Sequence, residues 1–130
     1  MEIKYQGGLK FEIKIGEHVV ITDQPKDIGG NDEGVTPGEL FVASLASCMG
    51  SYVVAYCKNI GIDVSGLTIS ADSKHADDKP ARIGEININI NLPAKIEDNR
   101  KAAVIHAANH CFVHNTILQA PALNIKLNTL

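Results

Sequence analysis

The run from Thr36 to Cys57, TPGELFVASLASCMGSYVVAYC, constrains this chain more than any other stretch. It opens with helix-start chemistry: Thr36 as N-cap, Pro37 at the first helical position, and Glu39 three residues on, able to reach back to the Thr36 amide. Behind that start, Leu40, Phe41, Ala43, Leu45, Ala46, Met49, Val53, Val54 and Tyr56 take up most of a helical circumference. A helix apolar on nearly every side belongs in a core, so a long buried helix is expected, running to the NIGID segment. Its length would suit a bilayer, but the serines, two cysteines and Gly50 inside it make a poor membrane span, and no membrane association is expected.

The flanking segments carry a different period. Met1–Tyr5, Lys10–Ile15 and His18–Thr22 alternate apolar and polar residues, with QGG and IGE as turns between them, which predicts an antiparallel meander. The stretch DQPKDIGGNDEG is a loop by composition, and long enough to belong near a site. Beyond the helix, Val64–Asp72 and Arg82–Leu92 read as strands, the second alternating Ile83, Ile86, Ile88 and Ile90, with a bulge expected at Gly84-Glu85. SKHADDKPA is the loop between them. AKIEDNRKAAVIHAANH predicts a second helix, CFVHNTILQAP a short third one, and ALNIKLNTL a terminal strand. The fold class that follows is α+β, antiparallel strands around a long central helix. With 130 residues, the whole chain from 1 to 130 is expected to form a single domain.

A net charge of −3 leaves no basic surplus to neutralise a phosphate backbone, so no nucleic-acid partner is expected. The first sixteen residues lack the unbroken apolar core of a secretion signal, which points to the cytoplasm, where three cysteines are more often reactive than structural. On a helix turning 100° per residue, Cys48 and Cys57 face opposite ways and cannot pair. Cys57, near the helix C-terminus, reads as a buried structural thiol. Cys48 lies among Ala43, Ser44, Ala46, Ser47 and Ser51, small enough to let another group approach its sulfur. Cys111 opens the third helix, whose amides and dipole are expected to favour its thiolate.

TPGELFVASLASCMG followed by CFVHNTIL resembles the OsmC/Ohr family of osmotically inducible and organic hydroperoxide resistance proteins. The resemblance extends over the N-terminal strands, the central helix and the GEININI strand. It implies an OsmC-like fold in an intertwined homodimer, with reduction of organic hydroperoxides by a thiol pair and a dithiol such as a lipoyl group as reductant. By position it makes Cys48 the peroxidatic nucleophile and Cys111 the resolving thiol, and offers Glu39 a catalytic role besides its cap. Two places depart from the family pattern. Gly38 stands where family members carry a glutamate ten residues before the first cysteine, and no arginine precedes Cys48, the chain's two being Arg82 and Arg100. Lys10, Lys14 and Lys26 are the cations available to substitute.

Two other readings come from the same residues. One is a non-catalytic OsmC-like dimer that binds a small apolar or thiol ligand. The other is zinc: His106, His110 and His114 fall on one face if their helix is unbroken, next to Cys111, although only a neighbouring pair could reach one ion. No cofactor and no resident metal are expected. Phe41, Leu45, Met49 and Phe112 give the cysteines apolar company, which favours organic over inorganic peroxide.

Overall fold

The alternating segments at the N-terminus fold as β1 (Glu2–Tyr5), β2 (Phe11–Ile15) and β3 (His18–Thr22), in a computed structural model that describes every residue from Met1 to Leu130. They pair antiparallel in the order β1-β2-β3, the expected meander. Ile3 lies opposite Ile13 and Tyr5 opposite Phe11. The Tyr5 and Phe11 rings meet at 5.8 Å and 59°, a tilt that sets the edge of one π system against the face of the other.

The loop after β3 is tightly built, and its organiser is Asp23. This carboxylate, 1% exposed, accepts the backbone N–H groups of Gln24 at 2.8 Å, Asn31 at 3.1 Å and Glu33 at 3.2 Å. The chain between these donors makes one 3₁₀ turn, Lys26–Ile28. Gly30 then passes so near the strand exit that a Cβ would lie 1.8 Å from the Gln24 carbonyl oxygen, leaving no room for any side chain. Lys10 on the β2 side reaches Glu33 in an ion pair. Thr22 and Val35 close the loop through a parallel bridge.

The central helix α1 spans Pro37–Asn59, and its start is the predicted capping box. Glu39 accepts the Thr36 N–H at 2.7 Å while the Glu39 N–H donates to the Thr36 hydroxyl at 3.1 Å. Expected to be buried all round, α1 instead leaves Phe41, Ala43, Ser44, Ser47, Ser51, Tyr52 and Ala55 exposed in the single chain. Two compact units divide the chain: Met1–Ala43 with Ala71–Asn87, and Ser44–Ser70 with Ile88–Leu130. In the second unit the buried apolar set is Leu45, Ala46, Met49, Val53 and Cys57 from α1, then Ile62, Val104, Ala108 and Cys111. Gly50 makes room within that unit for Ile69, whose Cδ1 would stand 2.7 Å from a Cβ at this position.

Two longer strands follow, β4 (Thr68–His75) and β5 (Ile83–Asn91), which form a two-stranded sheet. The first begins later and ends later than its hydrophobic pattern suggested, so the hairpin loop shrinks to the segment around Asp77–Pro80. Strand β5 runs through Gly84-Glu85 without interruption; a Cβ on Gly84 would lie 2.8 Å from the Ala76 Cα across the hairpin. Helices α2 (Asp98–Asn109) and α3 (Phe112–Leu118) close the sequence of elements. The expected terminal strand does not form. Residues 120–130 have no strand partner in this chain, and Leu123, Ile125 and Leu127 are 85%, 96% and 84% exposed.

Candidate active site

Within the second unit, two thiols from separate elements come close enough to act on one another. Cys48 sits on α1, half-buried, and Cys111 lies at the α2–α3 junction, fully buried. Cys48 lies close enough to act on the Cys111 thiol, and neither is in a disulfide. The small residues around Cys48 allow this approach, as their sizes suggested. The hydroxyls beside it are spent on the helix itself: Ser47 donates to the Ser44 carbonyl and Ser51 to the Ser47 carbonyl, each at 3.1 Å.

Cys111 is the N-cap of α3, with φ −68 and ψ 149, and its sulfur accepts the His114 N–H at 3.3 Å. The Val113 N–H adds a second backbone contact. The junction is pinned by two imidazoles that donate to backbone carbonyls, His110 Nδ1 to His106 at 2.8 Å and His114 Nδ1 to Asn109 at 2.6 Å. This arrangement fixes the sulfur's position independently of Cys48.

The electrostatics of Cys111 reverse the expectation drawn from its helix start. Burial pushes its thiol up, and the adjoining Cys48 pushes the same way; the His114 and Val113 amides pull down without prevailing. A seven-residue helix offers little dipole, and a desolvated thiolate costs more than two amide contacts return. Cys111 therefore keeps its proton at neutral pH. Cys57 is 0% exposed, and burial raises its thiol as well, in keeping with a structural role.

Glu39, for which both a cap and a catalytic role were expected, is engaged by the cap: the Thr36 amide, and then the Thr36 hydroxyl, hold its carboxylate below the usual range. Lys10 has its ammonium on Glu33. The three histidines do not share one helical face, because α2 ends at Asn109 and His110 is its C-cap. The His106 and His110 rings meet at a 45° tilt with centroids 4.2 Å apart, and no cluster of three or more His, Cys, Asp or Glu is gathered in a geometry that could hold a metal. A cavity of about 370 Å³ near Gly61, Lys95 and Arg100 has no cysteine in its lining. Sequence reasoning missed Asp23 and the His114 amide. The second was legible, since His114 stands three residues after Cys111, the spacing of an N-cap to its donor.

A central α1 and a C-terminal helix junction that bring two reduced thiols together define a class of small α+β thiol proteins. The chain belongs to the OsmC-like protein family, whose sequence model matches residues 29–126. Curated protein sequences contain no match to it. Among crystal structures it is similar to an osmotic stress induced and detoxification response protein from Psychrobacter arcticus 273-4, with 29% identity, a TM-score of 0.82, and coverage of 88% of this chain and 85% of that one. An organic hydroperoxide resistance protein OsmC from Legionella pneumophila shares the fold at 20% identity and TM-score 0.68, covering 89% and 87%. Another, from Elizabethkingia anophelis with thiocyanate bound, does so at 23% and 0.67, covering 89% and 88%.

Proposed function

We propose that this protein is a thiol peroxidase that reduces organic hydroperoxides, with Cys48 as nucleophile and Cys111 as resolving thiol. The observation that carries the reading is the contact between half-exposed Cys48 and buried Cys111. The Cys48 thiolate attacks the terminal oxygen of the hydroperoxide, the O–O bond breaks, and the alkoxide takes a proton to leave as an alcohol. Cys48 is then a sulfenic acid. The Cys111 sulfur attacks the Cys48 sulfur, the S–O bond breaks, and the hydroxyl leaves as water with the Cys111 proton. The resulting disulfide is reduced by thiol exchange with a dithiol, of which a lipoyl group is one, in a reducing compartment such as the cytoplasm. Leu45 and Met49 flank Cys48 on α1, and exposed Phe112 follows Cys111, which favours an apolar peroxide.

The test mixes the fully reduced protein with an equimolar organic hydroperoxide and follows free thiols and intact mass. The expected result is loss of two thiols mapped to Cys48 and Cys111, faster than with hydrogen peroxide. If all three thiols persist, the peroxidase reading fails and the protein is better read as a dimer that binds a small apolar or thiol ligand.

A homodimer is part of the same proposal. Leu123, Ile125 and Leu127 alternate along an extended, unpaired segment, and α1 exposes Phe41 and Tyr52 beside small residues. A second copy would cover both, and unpartnered apolar strands are otherwise an aggregation hazard. Sedimentation is expected to give a dimer, and deletion of residues 122–130 a monomer or an insoluble protein; a soluble, monomeric full chain would exclude this assembly.

A further inference from the structure

We infer that His114 is a positioning residue for the resolving step. Its imidazole ties the start of α3 to the end of α2, and its own backbone amide thereby holds the Cys111 sulfur where it can attack Cys48. Helix α2 stops at Asn109, and a helix end leaves carbonyls without donors of their own. Side chains just downstream supply them: His110 Nδ1 meets the His106 carbonyl at 2.8 Å, His114 Nδ1 the Asn109 carbonyl at 2.6 Å, and Asn115 Nδ2 the His110 carbonyl at 3.4 Å. A carbonyl only accepts, so Nδ1 of His114 carries a proton.

Of these three residues, His114 alone also touches the sulfur, its N–H donating to Cys111 Sγ at 3.3 Å. Ring and amide close a loop of contacts from Asn109 to His114 with the sulfur inside it. Two main-chain bonds hold the Cys111 backbone: its N–H to the Ala108 carbonyl at 3.2 Å, and the Asn115 N–H to its own carbonyl at 3.0 Å. They leave the χ1 torsion open, and the amide that the sulfur caps selects the rotamer. Packing does not fix that amide, because α3 is seven residues long and buries none of them. The His114 ring is what anchors its first turn. A nucleophile misplaced by a fraction of its reach loses rate steeply, so the anchor bears on how fast Cys111 closes on Cys48.

This inference rests on Cys48 and Cys111 being the reacting pair, as proposed above, but not on their reacting with peroxide. Its test therefore treats the reduced full-length protein at neutral pH with an aromatic disulfide, dithiobis-nitrobenzoate. The Cys48 thiolate attacks one reagent sulfur, the reagent S–S bond breaks, and one coloured thionitrobenzoate leaves. The Cys111 sulfur then gives its proton to solvent and attacks the Cys48 sulfur; the mixed disulfide breaks and a second thionitrobenzoate leaves. Cys57 is fully enclosed and takes no part. His114→Leu is expected to leave the first release unchanged and to slow the second about tenfold, the worth of one hydrogen bond. His114→Asn, whose side-chain amide places a donor where Nδ1 stands, is expected to recover most of the second rate. The inference is overturned by a single release from the unaltered protein, by a second release undiminished in His114→Leu, by equal slowing of both releases, or by no recovery in His114→Asn.

A second measurement needs no variant to fold. In the nitrogen NMR spectrum of the unaltered reduced protein, at a pH where the ring is neutral, His114 is expected as the Nδ1–H tautomer with Nε2 bare. An Nε2–H ring at His114 would equally overturn the proposal. Because no hydroperoxide enters either experiment, thiols that ignore peroxide would sink the proposed activity and leave this result standing.

Discussion

Replacing Cys48 with serine is expected to abolish consumption of organic hydroperoxide, a fall of roughly a thousandfold or more, because the other thiol in the site, Cys111, is buried and keeps its proton. Cys111→Ser should behave differently. Its Cys48 can still attack one equivalent of peroxide, but the sulfenic acid has no thiol to condense with. The variant is expected to stop after one turnover and, with excess peroxide, to accumulate over-oxidised Cys48 detectable as added oxygen in the mass spectrum. Cys57→Ser should keep its activity, since that thiol is fully enclosed in the core and burial keeps it protonated. The three variants together distinguish the roles. If Cys57→Ser is the inactive one, or if Cys48→Ser still turns over, the assignment of nucleophile and resolving thiol is wrong.

The second large effect is expected at Asp23, in the other unit. Asp23→Ala would leave the amides of Gln24, Asn31 and Glu33 without their shared acceptor, and unsatisfied buried donors are among the more damaging lesions a point substitution can make. A fall in melting temperature of roughly 10 °C is expected for a domain of this size. The pH dependence has a definite sign. Burial works to raise the Asp23 carboxyl, but the three amides, with Lys10 nearby, outweigh it and leave it below its ordinary value of 3.8. A carboxyl lowered by folding contributes stability that is present above its unfolded value and lost as pH falls through the folded one. Acid unfolding should therefore steepen below about pH 4, and Asp23→Asn should flatten that part of the curve. A thermal scan of Asp23→Ala that matches the unaltered protein would mean that the loop is held by its close packing around Gly30 instead.

Much of this architecture is legible in the sequence, and the reasons are local. Alternation with turn residues between sets β1 to β3 almost to the residue, because a period of two with a glycine break admits few other conformations. The capping box of Thr36 and Glu39 is a four-residue device whose donors and acceptors all lie within one turn. The Cys111 N-cap is legible for the same reason.

Among the expectations that failed, three depended on something the local sequence does not contain. Residues 122–130 alternate like a strand, but a strand needs an edge to pair with, and within this chain the segment pairs with none. The apolar circumference of α1 predicted complete burial, whereas the stripe through Ser44, Ser47 and Ser51 stays exposed in one chain. A helix start at Cys111 pointed to a thiolate, yet enclosure of the sulfur decides the matter in favour of the thiol.

The sequence by itself determined the elements, the cap that starts α1 and the thiols placed on two of them, since each of these is settled within a few neighbouring residues. Tertiary structure alone decided that Cys48 and Cys111 come together, that Asp23 gathers a loop ten residues long around one carboxylate, and that the buried Cys111 thiol keeps its proton. Those outcomes depend on burial and on the direction of hydrogen bonds between distant segments, quantities that exist only once the chain has closed on itself.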